Sequence, residues 1–353
     1  EYQEEPSSQE DLEKIPMLTR ADISREIAPI YNEEMKIADI PTVFHEIETN
    51  GIGYLDLMFD LSDVPEKDLP MVGLLQAVLG IIDTEHYEYG ELFNEINRHT
   101  GGIGTSLELY PDVTKVKEKE FKATFEIKGK ALYGQIPFAI RMMKEILTAS
   151  KLDDEKRLKE ILSMTKTRLQ DRFLSAGHSA AALRAMSYKS PISKFKDTTN
   201  GIEYYQNIRE MEEHFDEKKE EIISGLKALS ELLFRKGNVM ISYTASREGL
   251  AVLEEEIGSL KEALYPERTP ESRCILHCEK KNEGFKTSSK VQFAAKAGNF
   301  IDAGEEYNGA LQILKVIMSY EYLWINIRVK GGAYGCMSNF NRIGEGYFVS
   351  YRD

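Results

Sequence analysis

The sequence predicts an α+β protein in which one run of strands and helices occurs twice. Three observations carry this expectation. A turn, Thr49-Asn50-Gly51, stands between two strand-like segments near the start of the chain. Apolar and polar residues alternate cleanly at residues 121–128, and apolar residues recur at helical spacing in long stretches after it. The order strand, polar link, buried helix, second helix, Gly-Gly, strand appears first around Gly101-Gly102 and again around Gly331-Gly332.

Composition narrows the class. With 353 residues the chain is long enough for about two domains. A hydrophobic content of 42% with 29% charged residues is that of an ordinary globular protein. A formal charge of −14 argues against nucleic acid, whose phosphates need clustered Lys and Arg. No segment approaches the ~18 apolar residues of a membrane span, so no membrane partner is expected. Cys274, Cys278 and Cys336 are too few for a disulfide framework and suit a reducing compartment.

Taken in order, residues 1–13 are polar and acidic, and Asp22 is placed to cap a short turn within 16–23. Residues 43–47 and 52–61 read as a hairpin, with Leu55, Leu57, Phe59 and Leu61 on its buried face. Residues 69–82 are apolar nearly all round, as a buried helix is, with Pro70 suited to its first turn. A second helix at 89–98 ends in His99-Thr100-Gly101-Gly102 before a strand at 103–110. Phe121, Ala123, Phe125 and Ile127 alternate with polar residues, so this strand is expected to be half-buried.

Helical spacing returns at 136–147 and 158–173. The second of these helices is expected to run through Ser175-Ala176-Gly177-His178, whose small residues allow a close neighbour. The chain is expected to loosen at 191–201 and to become helical again at 204–234, split by an acidic run. A strand at 239–243 and a helix at 250–264 precede the linker-like 266–272, PERTPES. Beyond it come a strand at 291–297, a helix at about 307–318, a separate short helix at 322–327 and, after Gly331-Gly332, another strand.

Several chemical motifs fail on their spacing. CILHC, with Cys274, His277 and Cys278, lacks a fourth ligand for a structural zinc. His86 beside Glu85 and Glu88, and His214 in EEHFDEKKEE, read as solvated charge. The stretch YLWINIRVKGGAYG is richer. Arg328 carries five donors and Tyr334 a hydroxyl able to donate to an oxyanion, while Gly331 and Gly332 permit a tight turn or close approach to a bound chain. On spacing alone, a plain turn at a helix end is the favoured reading.

The wording of that stretch, with SAGHSAAALRAMSY, NGIEYYQNI, LPMVGLLQAVLGIIDT and NEINRHTGGI, resembles the pitrilysin and insulysin type of zinc metallopeptidases, nearest the presequence protease branch. The resemblance implies repeated metallopeptidase-type domains, each a mainly antiparallel sheet packed against helices as an α/β sandwich. It implies a C-terminal half: residues 1–23 closing a helical linker, 24–266 a complete α/β domain without zinc, and 267–353 a truncated fourth domain. Arg328 and Tyr334 match the family's catalytic arginine and tyrosine, with Gly331 and Gly332 beside them in substrate binding. Zinc would sit in the other half, since His-x-x-Glu-His is absent and the corresponding helix reads MVGLLQAVLG. The implied partners are unfolded peptides and the N-terminal half of the same protein, in cytoplasm or an organelle matrix. A non-catalytic scaffold or peptide-binding subunit of the same fold is the alternative.

Overall fold

The computed structural model describes residues 5–269 and 272–353, so residues 1–4 of the acidic leader and 270–271 of the expected linker lie outside the described residues. A short helix α1 (Gln9–Glu13) precedes a single helical turn in which the Asp22 carboxylate accepts from the Thr19 backbone, as its position suggested. Strands β1 (Glu33–Ile37), β2 (Ile40–Glu46), β3 (Ile52–Asp60), β4 (Ile103–Pro111), β5 (Phe121–Leu132) and β6 (Val239–Ala245) form one sheet in the order β1-β2-β6-β3-β5-β4. Its pairs are antiparallel except β2 with β6.

Two expectations about these strands are corrected. β2 and β3 are not a hairpin, because β6 lies between them and pairs with both. The turn chemistry is present, with Asn50 and Gly51 at φ 52° and 79°, but it reverses the chain without pairing the flanking strands. The hairpin is β1–β2, turned by Ala38 and Asp39 at φ 50° and 58°. On β5 the face opposite Phe125 and Ile127 is also partly covered, and Thr124 and Glu126 are buried there.

Helices α2 (Leu69–Val78), α3 (Tyr89–His99), α4 (Ile136–Thr148), α8 (Phe215–Leu233) and α9 (Arg247–Ala263) share one core with Leu55, Leu57, Phe59, Phe125, Ile241 and Tyr243 of the sheet. Each buried Leu or Phe contributes about 1.5–3 kcal/mol, which makes this face the main source of stability. Met143, Phe234 and Leu253 are buried in the helical layer, and Phe234 meets Phe59 and Phe125 edge-on at 5.0 and 5.4 Å.

α5 (Glu155–Ser187) does run through the small-residue stretch, with a break at Ala176 (φ −131°, ψ 40°). The segment 191–201 is not loose. It forms a helix α6 (Pro191–Asn200), capped by Ser190, whose hydroxyl accepts from Ser193 N–H. Its polar residues read as a loop because their partners are distant: buried Asp197 takes a 2.6 Å ion pair from Arg184 and accepts from Ile202 N–H. α7 (Ile202–Glu213) then meets α8 at His214, inside the acidic run.

After residue 272 the chain crosses without regular structure to β7 (Phe293–Asn299). A helix α10 (Ala310–Ile317) leads to β8 (Gly335–Phe340) and β9 (Glu345–Tyr351), and the second sheet has the order β7-β9-β8. That is the order β3-β5-β4 of the first sheet, with the returning strand again in the middle. The repeat read from the sequence is thus a repeat of topology. α5 joins the two copies: Gly177 lies so close to Phe293 that a Cβ on it would sit 2.5 Å from the ring.

Candidate functional site

The site residues lie on a wound segment and the strand that follows it. α10 continues directly into a π-helix, Met318–Val329, in place of the separate short helix expected at 322–327. Its wider winding shows in the bond from Lys330 N–H to Ile325 C=O, at 3.0 Å. One turn apart on it, the Arg328 guanidinium lies over the Trp324 ring, 4.6 Å from its centroid.

Gly331 and Gly332 end this helix. A Cβ at Gly331 would stand 2.5 Å from the Ile327 carbonyl oxygen, and Gly332 takes φ 82°, a region that favours glycine. The chain then enters the sheet. The Tyr334 N–H donates to the Arg352 carbonyl at 3.3 Å, and β8 pairs with β9 so that Gly335 opposes Tyr351.

This turn brings Arg328 and Tyr334 together. The guanidinium lies 5.2 Å from the centre of the Tyr334 ring, and Arg352 lies 5.3 Å from the same centre. Tyr351 packs against Tyr334 at 6.0 Å, and His178 of α5 packs against Tyr351 at 4.7 Å. Burial and then the nearby Arg352 hold the His178 imidazole below its usual range, which favours its neutral form. Burial raises the Cys336 thiol, and the charge of Arg328 partly offsets that.

Among the described residues Arg328 makes no ion pair and its side chain no hydrogen bond, so its donors remain available. The Tyr334 side chain is 58% exposed, and its hydroxyl likewise has no partner among the described residues. Two guanidinium groups lie against one exposed phenol. Such a surface suits a carbonyl oxygen or an oxyanion.

Trp324, Arg352, Tyr351 and His178 complete the arrangement, and none was assigned a role from sequence. Only the β8–β9 register places Arg352 beside Tyr334. The other motifs are absorbed elsewhere. His86 bonds the buried Glu145 at 3.0 Å, His277 bonds Glu66 at 2.7 Å, and Cys274 and Cys278 are free thiols.

The residues present do not fit a zinc ion. α2 buries Leu69, Val72, Leu74, Leu75 and Val78 in the core, and among the described residues no three His, Cys, Asp or Glu side chains gather as ligands.

The profile of a family described as associated with peptidase family M16, subfamily C, matches residues 1–211. The chain belongs to that family. A second profile, "PreP C-terminal domain", matches residues 282–353, and the chain is of the presequence protease type, corresponding to its C-terminal half. Protein HypA of Clostridium perfringens is 38% identical over all of this chain and 36% of its own length. Presequence protease 1 of Arabidopsis thaliana, chloroplastic and mitochondrial, is 27% identical over 99% of this chain and 32% of its own length. The chain thus spans about a third of these relatives.

Solved structures agree on the fold. A conserved protein from Enterococcus faecalis matches with TM-score 0.59 at 14% identity, over 90% of this chain and 75% of its own. A peptidase M16 inactive domain from Pseudomonas fluorescens matches with TM-score 0.51 at 15% identity, over 90% and 74%. On this chain the Gly331-Gly332 turn and the residues flanking it form the candidate site.

Proposed function

We propose that this chain is the non-zinc half of a metalloendopeptidase that degrades unfolded peptides in a chamber closed by two halves. In this reading residues 24–266 are the third domain of the full protein and 267–353 part of a fourth, with 1–23 ending the helical linker between halves. The observation that carries it is the Arg328 guanidinium, held over Trp324 and Tyr334 with no carboxylate among the described residues to neutralise it, beside an exposed phenol.

Each residue then has a defined task. Arg328 donates to a substrate carbonyl and fixes the peptide's position. Tyr334 donates its hydroxyl to the oxygen that becomes negative as water attacks, an interaction stronger in the transition state than in the substrate. Gly331 and Gly332 let substrate backbone pass close to the turn. Zinc, its ligands and the general base belong to the N-terminal half, so this chain alone neither holds catalytic zinc nor cuts peptides. Its compartment is the cytoplasm or an organelle matrix. Among the described residues no helix is long and apolar enough to cross a membrane.

The test is complementation. The chain is mixed with the separately produced N-terminal half and zinc, and cleavage of a quenched peptide is followed. Activity from the mixture and from neither component alone is expected. Metal-dependent cleavage by this chain alone, or a complex that forms and stays inactive, overturns the reading. The second outcome favours the scaffold subunit.

A further inference from the structure

β4 is an edge strand of the six-stranded sheet and pairs on one side only, with β5. Lys130 N–H donates to Gly102 C=O, so Gly104, Ser106 and Glu108, of the same parity, turn their backbone groups toward β5. Thr105, Leu107 and Leu109 turn theirs outward. Thr105 is capped, its C=O accepting from Gln76 Nε2 at 3.4 Å and its hydroxyl donating to Gln76 C=O at 3.1 Å. Leu107 and Leu109 N–H and C=O have no partner among the described residues.

These groups open into a cleft of about 400 Å³ walled by β4, the broken turn of α5 at Ala176 and the end of α6. That volume is of the size that holds a few residues of a ligand. Leu107, Leu109, Leu183 and Phe195 give it an apolar floor, and Ser106 Oγ, also on its wall, is buried without a partner among the described residues. Arg172 and Lys196 stand at its rim. Arg172 donates only to the neutral Asn200, and Lys196 is exposed with no ion pair among the described residues. Two unneutralised cations at one cleft are notable in a chain of net charge −14.

From these features we infer that the cleft binds an extended peptide segment, which adds to β4 as a further strand and sets an acidic side chain against Arg172 and Lys196. An open strand edge is satisfied by extended backbone, alternate side chains of the added strand enter the pocket, and the cations select carboxylate. The choice of a peptide substrate as occupant rests on the peptide-degrading reading. The site itself is remote in sequence from Arg328 and Tyr334.

The probe is a fluorescein-labelled heptapeptide alternating valine and threonine with one central aspartate, titrated against the 353-residue chain and followed by anisotropy. Saturable binding is expected. N-methylation of alternate amides of one parity abolishes it and of the other parity leaves it, because only one set faces β4. Lys196→Glu weakens binding about tenfold or more, and aspartate→lysine in the peptide does the same. No binding, equal effects of the two N-methylated peptides, or indifference to both charge reversals overturns the inference. Binding here with an inactive two-half mixture would sink the peptidase reading alone, and an active mixture without binding here would sink only this site.

Discussion

On the outward face of the six-stranded sheet Asp56 meets Glu126, and the two carboxyls are unequal. Glu126 is wholly buried, yet it accepts from Thr124 and Tyr110 at 2.6 and 2.7 Å and forms an ion pair with Lys128 at 2.8 Å, and these interactions outweigh its burial to keep it ionised. Burial first, then the charge of Glu126, pushes Asp56 up to about 7. Unfolded, Asp56 titrates near ~4. Between these values the folded chain holds a proton that the unfolded chain has lost, so this contribution is full below pH ~4 and is lost as pH rises to about 7. Urea midpoints measured between pH 5 and 8 should fall more steeply for the wild type than for Asp56→Asn. Equal slopes would show that Asp56 titrates normally.

A second residue-scale expectation concerns Arg184. It is buried, bonds Asp197 at 2.6 Å and grips Glu283 with Nε and Nη2 at 2.7 and 3.0 Å. The guanidinium holds the Glu283 carboxyl down at about 2. Arg184→Met strands the buried Asp197 charge and should cost about 3–5 kcal/mol in chemical denaturation. A loss under about 1 kcal/mol, the scale of an exposed ion pair, would mean water already reaches that group.

At the scale of elements, the junction between the two copies rests on the missing side chain of Gly177. The close seat of Phe293 there leaves no room for a β-branched residue. Gly177→Val is therefore expected to cost about 1–3 kcal/mol by overpacking and to act on one side of the junction. Hydrogen exchange should quicken in β7 and β9 while β3 and β5 keep their protection. Uniform loss across both sheets would show that α5 supports them as one unit.

What was legible followed from range. Period-two alternation in β5 and the apolar helix α2 are local properties, and both are legible in the sequence, although α2 ends at Val78, before the expected residue 82. β2 and β3 looked like a hairpin because the strand that divides them, β6, comes almost two hundred residues later. α6 looked loose because Ser193, Thr198 and Asp197 are poor helix formers, and the bond from Arg184 that makes Asp197's burial tolerable is not visible along the chain. Arg328 and Tyr334 were visible as a short motif. Their neighbours Arg352 and Tyr351 depended on strand register.

At the scale of the whole molecule, the topology β3-β5-β4 recurs as β7-β9-β8, but the two copies differ in what they present. After its paired glycines the first copy offers an open strand edge in an apolar cleft, and the second offers a phenol with two guanidinium groups close to its ring. In the proposed function the second copy supplies transition-state contacts to a centre completed by another half.

The most direct measurement is steady-state cleavage by the complemented enzyme with Arg328→Ala and Tyr334→Phe, separating kcat from KM. Tyr334→Phe should lower kcat by a factor on the order of 10² with little change in KM, since its bond forms only as the oxyanion develops. Arg328→Ala should lower kcat/KM by a similar factor, part of it through KM. Wild-type rates from both variants in an intact complex would contradict the assignment and leave the Gly331-Gly332 segment as a turn alone.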